Sequence, residues 1–436
     1  MAKRFREWNV NQRLLLPRSV DEFVSKDHLS NFIRVLVIDE LNLSEILSKY
    51  KEERGNPPYD PRMMLCVLLY SYTQGLYSSR KMAKCCEERV DFMALSGMNY
   101  PDFRTLSDFR KNHLESISKL FVQVLKLCQE AKLLKLGHVS LDGTKMKANA
   151  SKGKNMTYGS INKTESELEK EVAEWLKAAN AKDVEEDEEY GEDKKGDELP
   201  SWVSDKQERS AKLKEAKEAI EKKHKEKQVA RDKATEEGLK PKSRKTRSEN
   251  PSDDKRHNFT DSDSSLMKSP QGFIQGYNAQ IGVDSESHVI VCCHVTTEGN
   301  DIDQLRPAID QIEENLKILP KEISADFGYL SDENLKILED KKISGYIAVG
   351  AKYSEYKKEP KEGSRVQKMI RKLKQGGKRT RYRLRKQTVE LVFGDIKGNR
   401  FFRQFLLRGK EKVAHEWSLI CIAHNIRKLY TASTAI

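Results

Sequence analysis

From residue 152 to 258 the chain carries little that a hydrophobic core can use. KTESELEKEVAEWLKAAN and KQERSAKLKEAKEAIEKKHKEKQVARDKATEE flank the acidic, glycine-containing DVEEDEEYGEDKKGDELP. Such charge density buries too little apolar surface to offset the entropy of ordering the backbone as an independent globule. Each flank nevertheless spaces apolar residues at a helical period, Leu168, Val172 and Leu176 in one and Leu213, Ala216 and Ile220 in the other. The expectation is a charged helical hairpin, partly disordered, inserted in a surface loop. The fold must then be completed by the segments on either side of it.

Residues 1–135 read as helical and form the first domain. Asp60 precedes Pro61 and the apolar run MMLCVLLYSY, with Gly75 marking the end, and Ser78 or Ser79 starts the next helix. Thr105 and Asp108 have capping-box spacing and predict a long amphipathic helix through Phe109, Leu120, Val124 and Leu127. The second domain comprises 136–151 and 259–436. GHVSLDG is a short β-type run that delivers Asp142 at its end, before TKMKANASK turns basic and small. FIQGYNAQIGVD puts Tyr277, Ala279, Ile281 and Val283 on one face and pairs with HVIVCCHVT as a hairpin. DIDQLRPAIDQIEENL reads as a helix with acids at its start, KEISADFGYL as a strand ending at Asp326, SDENLKILEDK as a helix and SGYIAVG as a strand, followed by basic helices. This order fits an α/β domain whose mixed five-stranded sheet is covered on both faces.

Lys and Arg outnumber Asp and Glu by 80 to 68, a formal net charge of +12 that favours polyanionic partners. No apolar run reaches membrane-spanning length, and MAKRFREWNVNQ has no signal-peptide character, so a cytoplasmic protein without membrane partners is expected. Seven cysteines without a C-x-x-C pair argue for buried thiols, against zinc ribbons and disulfides. The histidines lack H-E-x-x-H spacing, and GGKRT follows no strand, which excludes a nucleotide cofactor bound by a P-loop.

The chemistry rests on three acids, Asp142, Asp326 and Glu390. Neighbouring strands bring the first two together and the helix of RYRLRKQTVELVFGDIKGNRFFRQF brings the third. Clustered carboxylates repel unless a cation shares them, which points to Mg²⁺ or Mn²⁺ and phosphoryl transfer. Asp395 is the rival to Glu390, but five helical residues rotate it by about 140°. The apolar neighbours Val389, Leu391 and Phe393 favour Glu390 as the partly buried acid. Tyr382, Arg385, Lys386 and Lys397 around it suit a phosphate backbone, as do Arg80 and Arg104 near helix starts in the first domain.

At these residues the chain resembles the DDE-type insertion-sequence transposases of the Tyr-Arg-Glu-Lys signature group. LDGTK carries Asp142, ADFGY carries Asp326, and YRLRKQTVELVFGDIK carries Glu390 with Lys397 seven residues on. YDPRMMLCVLLYSYTQGLYSSRKM and PDFRTLSDFRKNH are similar to the helical N-terminal domain of such proteins. One departure stands out: the signature arginine falls at Lys386, with Arg385 one residue earlier. The resemblance implies an RNase H-like catalytic core and a catalytic, metal-binding triad of Asp142, Asp326 and Glu390 holding two Mg²⁺ or Mn²⁺ ions. It implies strand cleavage at the terminal inverted repeats of an element and transfer to target DNA, by a homodimer on DNA associated with the nucleoid. The alternatives are a resolvase or repair nuclease of the same fold that cuts without joining, and a non-catalytic DNA-binding descendant of a transposase.

Overall fold

The computed structural model describes residues 19–50, 57–170, 201–236, 250–269, 272–349, 362–376 and 381–434. The first block packs helices α1 (Leu29–Val35), α2 (Pro61–Thr73), α3 (Ser79–Glu88), α4 (Val90–Ser96) and α5 (Phe103–Glu130). Asp60 caps α2 by accepting from Arg62 N at 2.8 Å, and Pro61 sits at the first helical position, where its missing N–H costs nothing. Every residue of α2 from Met64 to Thr73 is buried, so this helix is the centre of the block. Helix α5 starts earlier than the Thr105 cap predicted. Asp102 is its cap and accepts from Thr105 N at 2.8 Å, because a carboxylate one turn upstream reaches that N–H directly.

The second block is built on one mixed sheet of strands β1 (His138–Lys147), β4 (Ser265–Ser269), β5 (Gly272–Asp284), β6 (Ile290–Thr296), β7 (Glu322–Ala325) and β8 (Ser344–Ile347). The order is β4-β5-β1-β7-β8, and β6 shares with β4 the edge of β5 away from β1. Strand β1 runs antiparallel to β5 and parallel to β7, which in turn is parallel to β8. The sheet thus has six strands where five were expected, since β4 pairs with β5 beyond the end of β6. Tyr277, Ala279, Ile281 and Val283 are buried, and so are Asn278 and Gln280 on the other face. Helices α8 (Leu305–Leu316), α9 (Asp332–Asp340), α10 (Arg365–Gly376), α11 (Leu384–Gly394) and α12 (Lys410–Thr434) complete the α/β, RNase H-like arrangement. Helix α12 lies between β6 and α5 and joins the two blocks, which is why Trp417 through Ile426 is buried almost without a break.

Within the charged segment, β2 (Asn155–Thr157) pairs with β3 (Arg256–Asn258) at its base. A helix over 158–170, α6, packs against α7 (Ser201–Glu236) through Tyr158, Ile161, Leu168, Leu213, Ala216 and Ile220. Tyr158 bonds Glu221, while Lys217 and Lys214 pair with Glu165 and Glu169, so the two helices run antiparallel. Val172 and Leu176 lie outside the described residues. All seven cysteines are free, and among the described residues no helix is long and apolar enough to cross a membrane.

Candidate active site

Strands β1 and β7 stay paired only as far as Ser140 and Ser324, then separate. Below that fork a polar ladder fixes their register: His138 Nε2 meets Ser324 Oγ at 2.9 Å, and Ser324 Oγ meets Ser140 Oγ at 3.0 Å. Asp142 lies on β1 just above the fork. Asp326 follows the last residue of β7, where its side chain accepts from Gly328 N at 2.8 Å and starts a short 3-10 turn. The expectation that Asp142 ends a strand is corrected. Strand β1 continues to Lys147, because β5 supplies a backbone partner for every residue of the basic stretch TKMK.

Helix α11 packs across β1, β5 and β7 and brings Arg385 to the acids. Arg385 Nη1 donates to Asp142 Oδ2 at 2.6 Å and Nη2 donates to Glu390 Oε1 at 3.1 Å, so one guanidinium joins the first and third acids. Lys386 points to solvent, and Tyr382 is half-buried on the turn Arg381–Arg383 ahead of the helix. Lys397 donates to Thr144 Oγ1 and to the Lys145 carbonyl at 3.3 Å, and burial holds its ammonium below the usual lysine value. Arg80 and Arg104 lie on the first block, both exposed, their guanidinium carbons 4.7 Å and 5.7 Å from the centre of the Phe103 ring.

The expectation that Glu390 rather than Asp395 is the partly buried acid is reversed. The Glu390 side chain is 44% exposed and that of Asp395 is 21% exposed. Leu391, taken as an inward neighbour, is exposed, so the apolar flank did not report the orientation of the helix. Asp395 is enclosed by Arg400 at 3.0 Å, Arg427 at 3.3 Å and His424.

Electrostatics set the acids at the fork apart. Burial pushes Asp142 up to about 7, opposed by Arg385 and reinforced by the charge of Asp326. Burial also raises Asp326, and the next contributor is Asp301. Asp301 was read from the sequence only as an acid ahead of a helix, yet it lies against the site. A Cβ at Gly143 would fall 2.6 Å from Asp301 Oδ1, and one at Gly328 would fall 3.1 Å from Asp301 Oδ2. No local pattern marks that residue, since an acid before a helix is commonplace.

Oxygen donors of this kind suit a hard divalent cation. The fit is supported by Asp142 and Asp326, two partly buried carboxylates each raised by burial and by the charge of Asp301, with Asp326 adding to the rise of Asp142. Among the described residues no three metal-ligating side chains converge on one point, and Asp142 and Glu390 meet on Arg385 instead.

Residues 18–112 match a family model described as Transposase domain (DUF772), and residues 252–426 match one described as Transposase DDE domain. No curated protein and no solved structure gives a significant match. The second match includes Asp326 and Glu390 but begins beyond Asp142, which β1 returns to the same sheet from the far side of the charged segment. With both domains present in this order and between them spanning more than half of the residues, the chain belongs to the DDE-type insertion-sequence transposases.

Proposed function

We propose that this transposase binds the ends of its own element, cleaves them in a reaction that needs divalent cations, and joins the freed ends to target DNA. The observation that carries this reading is the meeting of Asp142 and Glu390 on one guanidinium, with Asp326 across the fork. These three carboxylates are the proposed ligands and catalytic residues. Held there, two Mg²⁺ or Mn²⁺ ions supply activation of an attacking oxygen and stabilisation of the leaving one.

The chain's own groups orient the DNA. Arg385 leaves the carboxylates for a backbone phosphate, with which it forms a bidentate pair that Lys386 cannot match. Lys397, held over β1 by Thr144, positions a second phosphate, and Tyr382 stacks beside it. Arg80 and Arg104 grip the element end from the first block. Two ends must be brought together, so a homodimer on DNA is part of the proposal.

The test is cleavage of a DNA fragment carrying the terminal repeats that flank the reading frame. Asp142→Ala, Asp326→Ala and Glu390→Ala each abolish Mg²⁺-dependent cleavage and retain DNA binding in a gel-shift assay. Near-normal cleavage by any one variant removes that residue from the triad. A wild-type product that is cut but never joined identifies a nuclease.

A further inference from the structure

Asp301 lies in the connection from β6 to α8, on the sheet face opposite α11. Being close to a helix start, it has an ordinary explanation as a cap, and the structure denies it. Gln304 takes the cap position of α8 without a side-chain capping hydrogen bond, its side chain turning to His294 instead, and its N–H is met by the Asp301 main-chain carbonyl at 3.0 Å. The carboxylate is directed elsewhere. Its Oδ1 accepts from Asn278 Nδ2 at 2.7 Å and from Gln280 Nε2 at 2.6 Å, two buried amides of the central strand.

The Gln280 amide is fixed in turn. Tyr329, buried and therefore held neutral, donates its hydroxyl to Gln280 Oε1, which leaves Nε2 as the end facing Asp301. Trp417 Nε1 donates to the Gln280 carbonyl at 3.0 Å and pins the backbone. Two glycines make the approach sterically possible. A Cβ at Gly143 would sit 2.0 Å from Gln280 Nε2 and 2.6 Å from Asp301 Oδ1. A Cβ at Gly328 would sit 3.0 Å from Asp326 Oδ1 and 3.1 Å from Asp301 Oδ2, so one point touches both carboxylates. With Oδ1 committed to the amides, Oδ2 is the oxygen on the Asp326 side.

We propose that Asp301 is a fourth carboxylate of the divalent-cation centre, presenting Oδ2 to an ion held by Asp142 and Asp326, and that Gln280 and Tyr329 are its positioning residues. The inference rests on the metal-dependent reading given above. It also accounts for residue types in two sequence motifs. Gly143 in LDG and Gly328 in DFGY leave the space through which the acid enters, and Tyr329 turns the amide that aims it.

Calorimetric titration of the full chain with Mn²⁺, without DNA, tests this apart from catalysis. Asp301→Asn keeps the shape and an acceptor for both amides while removing the charge and the Oδ2 donor. It is expected to fold, by circular dichroism, and to bind Mn²⁺ roughly 10- to 100-fold more weakly. Tyr329→Phe, which removes only the hydroxyl that turns Gln280, is expected to weaken binding in the same direction by a smaller factor. Wild-type affinity in Asp301→Asn beside lost affinity in Asp326→Asn overturns the role of Asp301 and leaves the centre standing. Wild-type affinity in both overturns the centre itself. Should Asp301→Asn fail to fold, Tyr329→Phe decides, and an unchanged titration there overturns the proposal.

Discussion

Helix α11 and the turn after it carry an acid–arginine cluster at each end, and the two are built in opposite proportion. At one end Arg385 is shared between Asp142 and Glu390, with Asp326 and Asp301 close by. At the other, the single acid Asp395 faces Arg400, Arg427 and His424. The consequences are opposite as well. Burial leaves Asp142 raised to about 7, whereas Asp395, though also half-buried, is held well below the usual carboxylate range by His424, Arg400 and Arg427. An acid with surplus cations is a structural joint. Acids with too few form a site that a further cation completes.

The largest expected stability effect breaks the joint. Asp395→Asn leaves Arg400, whose side chain is 3% exposed, with a buried and unpaired charge. Loss of one partner from such a pair costs about 3 to 5 kcal/mol, read as a lowered midpoint in urea at pH 7. Asp395 has a depressed pKa, so its contribution is present above its ordinary value of 3.8 and disappears as pH falls below that. Asp326→Asn, which relieves repulsion, is expected to leave the midpoint unchanged or raise it. Equal destabilisation by both substitutions refutes the contrast.

Glu416 on α12 sharpens the comparison as an acid compensated chiefly by peptide groups, with Arg110 a lesser contributor. It is 1% exposed and accepts from Leu406 N at 3.1 Å and Leu407 N at 3.1 Å, and among the described residues no cation forms an ion pair with it. Burial pushes it up to about 7 from 4.5. The raised pKa sets the sign: the stabilising protonated form is fully present below pH 4.5, and its contribution is lost as pH rises through about 7. Glu416→Gln keeps an acceptor for both N–H groups and carries no charge. It is expected to stabilise the chain at pH 8 by about 2 to 4 kcal/mol and to have little effect at pH 4. A gain that is the same at both pH values would show that packing, not charge, is responsible.

These contrasts also show what the sequence could disclose. Alternation on β5 and the apolar run of α2 were legible because burial on one or all faces writes itself into local order. The full length of β1 was not, since TKMK is strand only through its pairing with β5. The orientation of α11 was not either: Val389 and Leu391 look alike in sequence, yet one is buried and the other exposed. Asp142 and Asp326 could be picked out by their motifs. Asp301 could not, because what distinguishes it is contact with Gln280 and Gly328, residues far from it in sequence or across a turn.

Arg385 offers a smaller effect that separates its two partners. Its guanidinium lies between Asp142 and Glu390, where the proposed divalent cation would sit. Arg385→Gln is therefore expected to tighten Mn²⁺ binding by about tenfold, or 1.4 kcal/mol, while weakening DNA binding. Mn²⁺ affinity that falls instead would mean that Arg385 organises the carboxylates, and the surplus of acid would not be what draws the ion.

The smallest effect distinguishes Arg385 from its neighbour Lys386, the residue at the signature position. Lys386 is exposed, whereas Arg385 bridges the acids, so the DNA contact proposed for Lys386 would be that of a point charge on a flexible stem. Removing one phosphate contact lowers the slope of log affinity against log salt by about 0.9 without altering sequence preference. Lys386→Gln is expected to give that decrement and leave Mn²⁺ binding untouched, since its charge lies outside the fork. Arg385→Gln gives a similar decrement together with the change in metal affinity. A salt titration of both variants on the same fragment reads the two effects in parallel. If Lys386→Gln shifts the metal isotherm and Arg385→Gln does not, the signature position carries the arginine's role in spite of its geometry, and the excess of acid at this end of α11 is balanced from the solvent side.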